Sequence, residues 1–153
     1  MMRIFNLLVC ALFSSTITWA RIVNYEDCGS TDSFVVSVSI TPCNILPCIL
    51  IQGKPYTIEI TFTASAHIQG EDALLEVAYD GVTKYFRMRA SARSQHLDPP
   101  FPIKPGGTYK YSHTTAISHT LPKRLLNIRW KLLKEDGLPF VCVQFPAKIS
   151  ASE

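Results

Sequence analysis

The chain has 153 residues, 47% hydrophobic and 18% charged, a length that holds one ordinary domain and a composition too apolar for a disordered or solvating chain. Ten prolines and seven glycines fall without a period, which excludes collagen-like and low-complexity sequence. Fifteen basic against 12 acidic residues give a formal charge of +3, weak grounds for nucleic-acid binding, which calls for clustered Lys and Arg.

The first 20 residues read as a secretory signal peptide. Met1–Arg3 supply a positive start, Ile4–Phe13 an apolar run, and Thr18-Trp19-Ala20 puts small residues at the two positions a signal peptidase reads. A membrane anchor is the competing reading, but the run falls short of the roughly 20 apolar residues of a span, and Ser14, Ser15 and Thr16 interrupt it. The expected product is a single exported, soluble and monomeric domain, residues 21–153, with 14 basic and 12 acidic residues once Arg3 is lost.

Export changes the meaning of the cysteines. Cys10 leaves with the signal peptide, so Cys28, Cys43, Cys48 and Cys142 remain, an even number in an oxidising compartment. Three pairings are open. The short spacing of Cys43 and Cys48 suits a small closed loop and leaves Cys28 to reach Cys142, a closure worth roughly 4–5 kcal/mol in the chain-entropy model. A zinc site is the alternative, weakened by the lack of CxxC spacing and of a neighbouring histidine pair.

From residue 34 onward the period is that of strands. Phe34, Val36, Val38 and Ile40 alternate with Val35, Ser37, Ser39 and Thr41; Tyr56, Ile58, Ile60 and Phe62 alternate with Thr57, Glu59, Thr61 and Thr63. Shorter strands are predicted at 74–79, 82–88, 108–115 and 140–145. Between them Leu126, Ile128, Trp130 and Leu132 alternate with Asn127, Arg129, Lys131 and Leu133. Asp80-Gly81, Pro105-Gly106-Gly107 and Glu135-Asp136-Gly137 are turns, the first a hairpin signal. No window keeps a helical period over three turns, so the fold class is all-β, an antiparallel two-layer sandwich. Alternation alone makes every inward residue core; it does not say whether the sheets leave room for a ligand.

Longer motifs go further. Tyr25-Glu26-Asp27-Cys28-Gly29-Ser30, Thr41-Pro42-Cys43, Pro47-Cys48, Gly53-Lys54-Pro55-Tyr56, Thr108-Tyr109-Lys110-Tyr111, Arg129-Trp130-Lys131-Leu132 and Cys142 with Phe145-Pro146-Ala147-Lys148-Ile149 together resemble the secreted lipid-recognition (ML, MD-2-related) family, which includes the Niemann-Pick type C2 sterol-binding proteins and the group 2 mite allergens. The resemblance spans residues 21–153. It implies an immunoglobulin-like sandwich with a hydrophobic pocket between the sheets, and the pairings Cys28 with Cys142 and Cys43 with Cys48. The aromatic at the family's sterol entrance falls on Phe86, and the apolar residues opposite it on Ile117 and Leu121, the latter where the sterol binders have a tyrosine. Tyr56, Ile58 and Trp130 match wall positions.

The departures are equally specific. No cysteine stands between Arg87 and Phe101, where the sterol binders carry a third disulfide, so the segment with Ser91, Ser94, His96 and Asp98 is expected to be looser; the family's PFPIP stretch is replaced by residues 85–89. No Asn-x-Ser/Thr sequon occurs, so glycan-dependent sorting to lysosomes does not carry over and the expected location is extracellular, with the lysosome second.

Chemistry beyond binding is thin. His96 with Asp98, or His113 with His119, are the candidates for an acid–base or metal site, but GxSxG and HExxH are missing. Arg87, Arg89, Arg93, Lys123, Arg124, Arg129, Lys131 and Lys134 make either a solvated face, since Arg129 and Lys131 alternate with Trp130, or a surface for anionic membranes. The expectation is a carrier without cofactor, metal or catalytic residue, whose ligand is a sterol or another lipid and whose other contacts are an anionic membrane or a membrane sterol transporter. Recognition of microbial lipids and carriage of fatty acids or semiochemicals are the alternatives; an enzyme ranks last.

Overall fold

A computed structural model describes residues 17–70, 72–88 and 96–152. Residues 1–16 of the expected signal peptide, and Arg89, Ser91, Arg93 and Ser94, lie outside the described residues. Within them the chain forms β1 (Arg21–Ile22), β2 (Glu26–Asp27), β3 (Ser33–Thr41), β4 (Cys48–Ile51), β5 (Pro55–Ala64), β6 (Asp72–Tyr79), β7 (Val82–Met88), β8 (Leu97–Asp98), β9 (Thr108–Ala116), β10 (Leu125–Leu133) and β11 (Pro139–Ser150), and no helix.

The strands make two facing sheets, ordered β1-β3-β5-β9-β8 and β2-β11-β10-β6-β7, with β4 added along β11. The antiparallel two-sheet sandwich expected from the sequence is the fold found. Period-two patterning drives it: Tyr56, Ile58, Ile60 and Phe62 of β5 face Ile128, Trp130 and Leu132 of β10, all buried, while Thr57, Glu59, Arg129 and Lys131 point outward. Asp80 (φ 47°) and Gly81 (φ 72°) close the β6–β7 hairpin between the paired Tyr79 and Val82, the left-handed pair that matches strand twist.

Besides the two-residue strands β1, β2 and β8, none of which was expected, two strands differ from expectation. β4 is missed by periodicity because Cys-Ile-Leu-Ile has no polar alternation, and it joins β11 in parallel. β11 runs past Phe145 through Pro146, because Pro146 sits in the gap between the two short neighbours on that side: β2 pairs only with Val143 and Gln144, and β4 begins at Ala147. The missing N–H therefore falls where no neighbour needs it.

Cys28 is bonded to Cys142 and Cys43 to Cys48. The residues around the first bridge show what the Asp-Cys-Gly-Ser sequence does. Asp27 Oδ1 accepts the amides of Gly29 (2.9 Å) and Ser30 (2.8 Å), a local turn, and Ser30 Oγ accepts the Cys142 amide at 2.9 Å. Burial works to raise the Asp27 carboxyl, but these donors hold it on balance below its ordinary value.

The sandwich is unequally filled. Near the starts of β3 and β11, Phe62 packs on Tyr109 and Phe140 at ring distances of 5.8 and 5.7 Å, with Ile68 and Ile103 closing that end through an isolated bridge. Gly70 belongs to the same closure. Its φ is +134°, and a Cβ there would stand 2.6 Å from Leu133 O and Glu135 N. Gly70→Ala should therefore cost about 2–3 kcal/mol in urea unfolding; a change below 0.5 kcal/mol, the ordinary surface range, would show that the close approach is not held in solution.

Candidate functional site

The opposite half of the sandwich, where β3 and β9 end and β10 begins, holds a cavity of about 50 Å³. One sheet contributes Ile40, Tyr56, Ile58 and Thr115; the other contributes Leu50, Leu75, Ile128, Trp130 and Phe145; Ile117 follows β9. The Tyr56 hydroxyl accepts the Ile51 amide at 2.9 Å, and its ring lines the cavity as apolar surface. A wall of this kind attracts an apolar molecule by removing its surface from water, at roughly 25 cal/mol per Å². Ligand pockets commonly measure about 300–1,000 Å³, so a lipid enters here only by moving side chains or spreading the sheets.

The roof is the segment 117–124. Gly53 N–H donates to Ile117 O (2.7 Å), Ile117 N–H to Lys54 O (3.1 Å), and the buried Gln52 donates from Nε2 to Leu121 O at 2.8 Å. Across the open side of the sandwich, Lys84 Nζ of β7 donates to Thr120 O at 2.9 Å. The segment is thus tied to both sheets, and its own Leu121 is buried. Phe86 lies opposite Leu75 on the edge strand β7, half-buried against the core.

Beyond the cavity, the wall residue Trp130 continues into an aromatic cluster that does not itself line it. Trp130 from one sheet meets His113 and Tyr111 from the other at ring distances of 5.7 and 6.2 Å, and His96 stands 4.8 Å from His113. His96 is fixed beside β9 by two contacts, Ser112 N–H to His96 O (2.8 Å) and His96 Nδ1 to Ser112 O (3.0 Å). Burial pushes the Tyr111 phenol above its ordinary range. Burial, and then the charge of His96, hold the His113 imidazole below its ordinary value of 6.5. The folded chain therefore prefers neutral His113, and its contribution to stability, complete above about pH 6.5, is lost as the pH falls through the lower folded value. Unfolding free energy should decline from pH 6.5 toward 5 by an increment that His113→Gln removes; identical pH profiles for the two proteins would exclude His113 as the source.

These features can be compared with known proteins. The profile of the ML domain family matches residues 22–149. The chain belongs to that family. It is 31% identical over 134 residues to NPC intracellular cholesterol transporter 2 of Danio rerio, covering 86% of this chain and 88% of the relative. To the Bos taurus protein of the same name it is 26% identical, covering 98% and 100%. A solved Niemann-Pick type C2 protein from the Japanese carpenter ant superposes with a TM-score of 0.73 at 24% identity, over 83% of this chain and 99% of that one, a match of fold.

Among the ML-type site residues anticipated from sequence, Tyr56, Ile58, Ile117 and Trp130 come together on one cavity, whereas Phe86 and Leu121 stand outside its lining, at the open edge and in the roof. Ile40, Leu50, Leu75, Ile128 and Phe145 were not singled out, because a strand residue beside a void has the same local pattern as one in solid core. The histidines pair differently from expectation: His113 meets His96, not His119, whose ring lies against Gly53. Among the described residues no group of three or more His, Cys, Asp or Glu could hold a metal ion. The anticipated basic residues are largely paired. Arg129 and Lys131 flank buried Glu76 at 3.1 and 2.7 Å, Arg87 meets Asp72, Arg124 meets Asp80 and Lys134 meets Asp32.

Proposed function

We propose that the protein is a secreted, monomeric, non-enzymatic carrier that holds one apolar molecule, a sterol before other lipids, between its two sheets. The observation that carries this reading is the cavity itself, walled by apolar side chains from both sheets at one end of an otherwise tightly packed sandwich. The cholesterol transporter name borne by relatives that align over most of this chain supports the sterol assignment. Tyr56, Ile58, Ile117 and Trp130 serve as wall, with Phe86 and Leu121 at the entrance beside the Lys84–Thr120 contact.

Transfer is assigned to the cavity end of the molecule. There Lys148 of β11 lies in register between Leu125 of β10 and Ile49 of β4, both exposed apolar residues, and Lys123 stands two residues before Leu125. Cations among exposed apolar side chains suit an anionic membrane surface. The deciding experiment is saturation binding of a fluorescent sterol with cholesterol as competitor, beside mass spectrometry of lipid extracted from the purified protein. One sterol per chain, displaced by cholesterol, is expected. Stoichiometric fatty acid with no sterol displacement would move the function to another lipid class, and a protein that takes up no lipid would contradict the reading.

A further inference from the structure

The cavity presents almost no polar atom to its interior; Ile40, Leu50, Ile58, Leu75, Ile128 and Phe145 supply most of its wall. A polar group carried inside would lose its hydration without gaining a partner. The head of a bound lipid therefore stays at the mouth, between the edge strand β7 and the roof segment 117–124. The groups standing there decide which heads are accepted.

On β7, Lys84, Phe86 and Met88 pair with Val77, Leu75 and Ala73 of β6, whose side chains belong to the core. Two of the three are apolar and the third is a cation, half-buried on the same side of the strand as Phe86. Among the described residues its Nζ meets neutral groups, Thr120 O of the roof at 2.9 Å and the ring of Tyr79, centred 5.9 Å away. By contrast Arg87, Arg124, Arg129 and Lys131 each meet a carboxylate. An ammonium carries three donors, and an anionic oxygen binds it more strongly than a neutral carbonyl does.

Resting on the carrier reading above, we propose that Lys84 is the headgroup contact of the cavity and selects lipids with an anionic head, a carboxylate or a sulfate, over neutral lipids of the same body. The incoming oxygen replaces Thr120 O on Nζ, so the contact that ties the roof to β7 passes to the ligand.

The test measures two affinity ratios, cholesterol sulfate over cholesterol and oleate over oleyl alcohol, on the wild type, Lys84→Met and Lys84→Arg. Each pair shares its body, so loss of the Thr120 contact affects both members alike and cancels from the ratio. The wild type is expected to favour the charged member of at least one pair by about tenfold more than Lys84→Met does, the scale of a hydrogen bond to a charged group, and Lys84→Arg should keep that preference. The pair that responds identifies a sterol sulfate or a fatty acid as the source of the anion. Ratios equal in the wild type and Lys84→Met for both pairs overturn the headgroup contact and leave Lys84 as a charge that keeps other strands off the β7 edge. Should Lys84→Met fail to fold, the Cε resonance of Lys84 in wild type labelled with 13C-lysine decides. A shift with cholesterol sulfate or oleate that the neutral member does not produce supports the contact, and equal shifts within both pairs overturn it. Cholesterol bound with no preference for charge removes this inference alone, whereas a wild type that binds none of the four lipids removes the carrier reading with it.

Discussion

Replacing Cys28 and Cys142 together by alanine should lower the melting temperature by about 15 °C, from a loss near 4–5 kcal/mol, whereas replacing Cys43 and Cys48 should cost roughly 2 kcal/mol. The contrast follows from loop length. The first bridge joins residues 114 apart, the second residues 5 apart, and the entropy removed from the unfolded chain grows with the logarithm of the closed loop. The longer bridge also holds β2 against β11: Cys28 N–H donates to Cys142 O, and Asp27 and Ser30 build their turn around the same bond. Calorimetry on the two double variants measures both losses. Equal melting temperatures would mean that the long bridge acts only locally and that the chain-entropy argument does not govern this fold.

The two halves of the sandwich should respond oppositely to substitution. Phe62→Ala removes a ring with 0% exposure that contacts Tyr109 and Phe140, and should cost about 3–5 kcal/mol, the usual price of a large void in dense core. Sterol affinity should change little, because Phe62 is not on the cavity wall. Ile58→Phe does the reverse. The added carbons enter the 50 Å³ of free space, so stability should stay within about 1.5 kcal/mol of wild type while sterol binding falls at least about tenfold, the space being taken by the protein itself. Chemical denaturation and fluorescent-sterol titration of the same preparations give both numbers. An Ile58→Phe protein that unfolds early yet binds normally would place the ligand elsewhere.

The fold was legible where strands have one wet and one dry face. β5 and β10 alternate because each lies inside a sheet with its outer side in water, so the period of two survives in the sequence, whereas β3 keeps the expected phase only from Val38 onward: a bulge at Val36 shifts the register and leaves Phe34 and Val36 exposed instead of inward. β4 was not legible because Cys48 and Leu50 face the core while Ile49 and Ile51 are apolar for another reason, their place at the edge of the sheet. β1, β2 and β8, two residues each, carry no period at all. The site divides in the same way. Tyr56, Ile58, Ile117 and Trp130 were reached through family motifs, whereas Leu75 and Phe145 become wall residues only through packing that no local pattern encodes. The approach of His96 to His113 depends on β8 pairing with β9 in register Leu97 to Tyr111, a tertiary fact that spacing along the chain hides.

The most direct measurement is of intermolecular nuclear Overhauser effects between bound cholesterol and the isotope-labelled protein. Contacts are expected from the sterol to the methyl groups of Ile40, Ile58 and Ile128 together, which only a molecule lying between the two sheets can reach. Contacts confined to exposed residues such as Ile49, Val82 or Leu125, with the three isoleucines silent, would contradict a ligand held inside the sandwich.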